Sequence, residues 1–156
     1  MHPDADPQFG VHSHEAAMEL LQRNHVGRLA FTHHDRVDIE PISYVNEGDW
    51  IYLRTSPGAK TGTLRHHPWV AFEVDEVHGP NHWDSAVVRG TIYWLSSEGS
   101  AVEQAVYQHA LTILRRLDAH ALTPQDATPH RTELLRIHVN EVSARSARPT
   151  IISPNE

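Results

Sequence analysis

The chain has 156 residues, 39% of them apolar and 21% charged, which is the composition of one ordinary folded domain rather than a disordered or fibrous segment. A net charge of −7 with histidine neutral argues against nucleic acid or an anionic membrane surface as partner, and no apolar run approaches the ~20 residues of a spanning helix. The absence of cysteine excludes disulfide scaffolds, thiolate zinc sites, iron–sulfur clusters and cysteine nucleophiles.

The first segment, 1–12, is polar and proline-containing, with neither the basic start nor the apolar middle of a targeting peptide. It reads as a flexible lead, and the cytoplasm is the expected compartment. Ser13 is a helix cap, and Ala17, Leu20 and Leu21 follow at helical spacing, predicting a helix over 14–24. From Val26 the period changes to two. Leu29 and Phe31 point one way and Arg28 and Ala30 the other, up to a tight connection at His34-Asp35. A second strand is expected to run through Val37, Ile39 and Val45 to the turn at Glu47-Gly48-Asp49, and a third from Trp50 to Arg54. Such short turns force antiparallel neighbours. Pro41 inside the second strand signals an edge, a bulge or a ligand.

After Ser56-Pro57-Gly58 a short helix is expected over 60–66, then a strand over 69–77 with Val70, Phe72 and Val74 on one face. A fifth strand over 85–95 follows, with Gly90 as a bend. Ser100 and Glu103 form a capping-box pair ahead of a stripe of Val102, Val106, Ala110, Ile113 and Leu117. A polar loop over 118–130 leads to a last strand around Leu135, Ile137 and Val139. These elements predict one domain over 13–147, a loose tail over 148–156, and an α+β fold: a six-stranded antiparallel Greek-key barrel with helices, closed by its final strand.

The segment with most chemistry is Arg54-Thr55-Ser56-Pro57-Gly58-Ala59-Lys60-Thr61, a strand end, a glycine turn and a helix start. Free N–H groups at a helix start favour an anion, two cations add charge, and Thr55, Ser56 and Thr61 add hydroxyl donors, so a phosphate suits it. It reads equally as a surface turn with solvated cations. A P-loop does not fit, because glycine would be needed at 54 and 59.

Several stretches in order carry a resemblance. They are Val26-Gly27-Arg28-Leu29-Ala30-Phe31, Glu40-Pro41-Ile42-Ser43-Tyr44, Ile51-Tyr52-Leu53-Arg54-Thr55, Gly58-Ala59-Lys60 and Leu64-Arg65-His66-His67-Pro68. Val70-Ala71-Phe72-Glu73-Val74-Asp75 and Trp83-Asp84-Ser85-Ala86-Val87-Val88-Arg89-Gly90 complete them. Together they resemble the pyridoxamine 5′-phosphate oxidase-like FMN-binding split-barrel family, in its nitroimidazole-resistance and flavin-nucleotide-binding branch. The resemblance implies a homodimer with a flavin site at the subunit interface. It places the flavin phosphate at Arg54, Thr55 and Lys60, the ring along Pro41, Ile42 and Ser43, and Trp83 and Ser85 at the partner's ring edge. It implies an FMN-dependent oxidoreductase passing electrons from a nicotinamide donor to a small acceptor such as a quinone or nitro compound. A non-catalytic flavin- or haem-binding storage or sensor protein is the alternative. The longer arginine-rich phosphate set of pyridoxamine phosphate oxidases proper is missing, so vitamin B6 oxidation is not expected. Nor is the basic groove of the deazaflavin-dependent relatives present.

Other candidates read more simply. His33-His34, His66-His67 and His78…His82 are surface histidines rather than metal ligands, although His66 or His67 near a flavin is a possible direct contact. Glu73 and Asp75 read as the solvent side of their strand rather than a catalytic carboxylate pair. Trp50 and Trp94 are expected in the core or an interface.

Overall fold

The computed structural model describes residues 6–150. Along the chain come β1 (Gln8–His12), α1 (His14–Arg23), β2 (Val26–His33), β3 (Arg36–Ser43), β4 (Val45–Glu47) and β5 (Trp50–Thr55). Then follow α2 (Ala59–His66), β6 (Trp69–Gly79), β7 (His82–Trp94), α3 (Ala101–Leu114) and β8 (Glu133–Arg148). All strand pairs are antiparallel, in the order β3-β2-β6-β7-β8-β5-β4, with β1 on β8. The sheet curls around one apolar core in which Leu29, Tyr44, Leu53, Phe72, Val88 and Ile137 are buried together.

Local chemistry explains the elements. Ser13 accepts from the Ala16 N–H and starts α1, and Ser100 accepts from the Glu103 N–H and starts α3. His34 and Asp35 both take positive φ (49° and 59°), the geometry a tight two-residue hairpin demands. At Gly90 a Cβ would lie 2.4 Å from the His138 carbonyl oxygen, and the β7–β8 register shifts between Arg89 and Gly90. That shift is the bend expected there.

The strand count is eight rather than six, for two reasons. The expected second strand is two strands. The chain leaves β2 after Ser43, passes through buried Tyr44, and pairs with β5 from Val45. Tyr44 secures the crossing, its N–H donating to the His25 carbonyl and its hydroxyl to the Leu21 carbonyl at 2.7 Å. β3 and β4 stand at opposite ends of the sheet order, so the final strand joins two halves but the ladder does not close. The barrel is split. The second reason is β1. Residues 8–12 of the expected flexible lead form a strand, because β8 runs past the end of β5 and offers a free edge over 144–148.

One helix face also departs from expectation. Ala110, Leu111, Ile113 and Leu114 of α3 are buried against Tyr52 and Leu134, whereas Val102 and Leu117 are exposed. Only the C-terminal turns of α3 lie over the sheet. Among the described residues, no helix is long and apolar enough to cross a membrane.

Candidate functional site

β3 is an edge strand, and two clefts meet along it. One, of about 490 Å3, has an apolar wall that includes Leu29, Phe31, Ile42, Leu64 and Leu135, and a polar rim of Thr55, Ser56, Lys60 and Thr61. The other, of about 330 Å3, is lined by Val26, Pro41, Ser43, Arg54, His130 and Arg131. Glu40, Ile42, Thr55 and Ser56 line both, so the two are continuous. Both volumes fall in the ~300–1,000 Å3 range of small-molecule sites.

Strand alternation sorts the expected residues. On β5, Ile51 and Leu53 face the barrel core, whereas Trp50 and Tyr52 pack with the α3 cluster. Thr55 follows the first set into the larger cleft, and Arg54 follows the second. The Arg54 guanidinium is consequently absorbed by the loop after α3. It makes a two-pronged pair with Asp126 (2.7 and 3.0 Å), a third bond to Asp118 (3.1 Å) and a fourth to the Thr128 hydroxyl (2.8 Å). It also donates to the Arg131 carbonyl at 3.3 Å. Asp126 is almost wholly buried (side chain 1% exposed), and the guanidinium holds its carboxyl far below the usual carboxylate range. Arg54 therefore spends its charge inside the protein.

Lys60 stands at the cleft rim, hydrogen-bonded to Glu40, 3.4 Å from Asp38 and 5.8 Å from the centroid of the Phe31 ring. The Glu40 bond, then Asp38, raise its pKa. Gly58 caps α2 without a side-chain bond, so the first-turn N–H groups are not covered by a capping side chain. The Thr61 hydroxyl staples the turn by donating to the Ser56 carbonyl at 3.1 Å.

The outer face of the sheet carries the remaining candidates. Register puts Pro41 beside Arg28 and Arg28 beside Glu73, and in the next row Asp75 beside Ser85 and Ser85 beside Arg145. Trp83 lies farther along β7, its ring 6.5 Å from that of Phe9. Neither Trp83 nor Ser85 lines the two clefts within this chain. Glu73 accepts from the Ser85 hydroxyl at 3.3 Å, and burial, followed by the adjoining Asp75, pushes its carboxyl up to about 7 despite Arg28 at 3.7 Å. Glu73 thus stands on the solvent side of its strand, as expected, but half-buried by its neighbours there.

Two lining residues, His130 and Arg131, escape sequence reasoning. They end the polar loop, 77 residues from Arg54 in the case of Arg131, and the β5–β8 ladder together with the bonds from Arg54 brings them to this cleft. The indole N–H of Trp94 is buried without an acceptor among the described residues, and Trp94 lines the larger cleft. The histidines do not converge on a metal: among the described residues, no three His, Asp or Glu side chains are so placed. His66 and His67 line a separate cleft with His34, Asp35 and Thr63 on the other side of α2. What the joined clefts suit is an amphipathic ligand, with a flat apolar body against Ile42 and Leu64 and an anionic end among hydroxyls and cations.

An open, split antiparallel barrel with a ligand cleft along one edge strand defines the class of protein. The family model described as pyridoxamine 5′-phosphate oxidase matches residues 13–146, and the chain belongs to that family. A crystal structure of an FAD-binding protein from Mesorhizobium loti has a TM-score of 0.71 at 25% identity, covering 88% of this chain and 97% of that one. A candidate 5-nitroimidazole antibiotic resistance protein from Bacteroides thetaiotaomicron matches with TM-score 0.68 at 16% identity, over 92% of this chain and 90% of that one. An FAD- and haem-binding protein from Mycobacterium smegmatis matches with TM-score 0.62 at 16% identity, over 90% and 75%. At 16% identity these two likenesses speak for the fold. An uncharacterized protein of Rhizobium meliloti is 27% identical over 106 residues, 68% of this chain and 69% of that protein.

Proposed function

We propose that this protein binds FMN along β3 and acts as a flavin-dependent oxidoreductase, taking electrons from a nicotinamide donor and passing them to a small acceptor such as a quinone or nitro compound. The observation that carries the reading is the continuous cleft on an unpaired strand edge, apolar at one end and rich in hydroxyls and cations at the other. An edge strand leaves one row of backbone N–H and C=O groups without a strand partner, and a flat heteroaromatic ring can use such a row. The ring lies along Pro41, Ile42 and Ser43, where a proline costs no ladder bond on the free side. The phosphate meets Thr55, Ser56, the first turn of α2 and Lys60, and Arg54 acts by fixing the loop beside it. The flavin supplies the electron transfer when bound; the protein orients it and excludes water.

The site is completed in a homodimer. Val37 (82% exposed), Ile39 and Trp69 (71%) leave an apolar outer face uncovered, and the groove beneath them includes Ala30 and Ala71. A second copy on this face brings Trp83 and Ser85 toward the neighbouring flavin. A non-catalytic flavin or haem carrier is the second reading, favoured by His34, His66 and His67 around one cleft of about 440 Å3.

Absorbance after mixing with FMN and gel filtration tests the reading. Retained flavin bands that weaken in Lys60→Ala and bleach with NADH or NADPH are expected. Retained bands that no nicotinamide donor bleaches would support the carrier, a Soret band after haem addition the haem form, and loss of all FMN from the wild-type protein would sink the proposal.

A further inference from the structure

Three cations border the joined clefts, and two of them are neutralised within the protein: Arg54 by Asp126 and Asp118, and Lys60 by Glu40 and Asp38. The third, Arg131, has no carboxylate partner among the described residues, although the chain carries a net charge of −7. Its backbone is held in place. Its carbonyl accepts from Arg54, its N–H donates to the Thr128 carbonyl at 3.0 Å, and the anchoring Asp126 is buried. His130 lies next to it, and Ser43, Thr55 and Ser56 face the same space of about 330 Å3. An uncompensated guanidinium on a fixed backbone, beside an imidazole and three hydroxyl-bearing residues, is a site for an anion with several oxygens. We infer that Arg131 and His130 form a second anion subsite, adjoining the flavin phosphate contacts and sharing Thr55 and Ser56 with them, that binds a diphosphate group. Flavin and nicotinamide dinucleotides share that group. The subsite's place beside a flavin rests on the function proposed above, whereas its affinity for diphosphate does not.

Calorimetry with ADP and inorganic pyrophosphate as probes, on the protein with and without FMN, tests this. Both probes should bind the wild-type chain, and Arg131→Glu should weaken them on the order of 10-fold or more, and by more than it weakens FMN. Arg131→Lys should fall between, and His130→Gln, which leaves the Arg54 anchor untouched, should also weaken them. Matching melting temperatures show that the variants are folded. If ADP displaces FAD but not FMN and FAD binds tighter than FMN, the diphosphate is the flavin's own. If ADP instead competes with NADH, and Arg131→Glu raises KM for NADH at constant kcat, it is the donor's. No binding of either probe to the wild-type chain, or equal binding by wild type and Arg131→Glu, overturns the inference. Arg131-dependent ADP binding by a chain that binds no flavin keeps the subsite and sinks the flavin reading instead.

Discussion

Glu40 competes with any anion for Lys60. The two side chains are bonded across the mouth of the cleft, so a phosphate arriving there must share the ammonium with a carboxylate or displace it. Both groups are largely exposed, and the pair itself adds little to stability. Its effect falls on the ligand, through repulsion of order 1 kcal/mol between like charges a few ångströms apart in water. Glu40→Gln is therefore expected to tighten FMN binding by about 3-fold at low salt, with the gain fading as ionic strength rises. A fluorescence titration at two salt concentrations reads this, and unchanged or weaker binding would refute the competition. A string of residues shows Arg54 and Lys60 as two positive charges near a glycine turn, which is why both look like phosphate ligands. It cannot show that period-two alternation turns Arg54 away from Thr55, or that its acceptors Asp118 and Asp126 wait 64 and 72 residues downstream.

Elements governed by local chemistry were legible, and elements governed by distant edges were not. The serine caps, the His34-Asp35 turn and the alternation of β2 and β6 are written within a few residues of where they act. The break at Tyr44 is invisible because Ile42 and Tyr44 both pack in or against the core, so alternation continues while the pairing partner changes from β2 to β5. β1 is invisible for a related reason: Gln8–His12 is short, its apolar residues Phe9 and Val11 stay exposed, and it exists as a strand because β8 is long. Gly90 is the local signal with the sharpest consequence. An added methyl would meet Ile137 Cγ2 at 2.5 Å and the His138 carbonyl oxygen at 2.4 Å, and the carbonyl cannot move without shifting the β8 ladder. Gly90→Ala should lower the unfolding free energy by roughly 1–3 kcal/mol, in line with other overpacked sites. Urea unfolding should show a lower midpoint at unchanged slope. A midpoint within error of wild type would mean that β8 yields more easily than this contact implies.

On the scale of the whole molecule, the proposed homodimer puts the completion of the site on the outer sheet face. In the proposed homodimer Val37, Ile39 and Trp69 leave water together, and Val37→Lys with Trp69→Lys should give a monomer by sedimentation that also retains less FMN. The same face carries a carboxyl, Glu73, whose titration opposes the usual acid sensitivity. Glu76, paired with Arg23, is pulled down to about 2 and favours the folded state above the ordinary carboxylate range, losing that contribution as pH falls. Glu73 behaves in reverse. Its ordinary value is 4.5 and its folded value about 7, so the folded chain holds an extra proton between those limits and loses stability as pH rises through them. The groups around it are Asp75 on its own strand, Arg28 on β2, and Ser85 on β7 with Arg145 of β8 beyond it. Covering this face with a second copy buries the carboxyl further and raises its pKa again, so association takes up protons. The dimer is expected to loosen as pH rises above about 7, and Glu73→Gln should flatten that dependence while leaving the low-pH dimer intact. A wild-type dimer constant independent of pH over this range would separate Glu73 from the interface, and with it the pairing of these two faces.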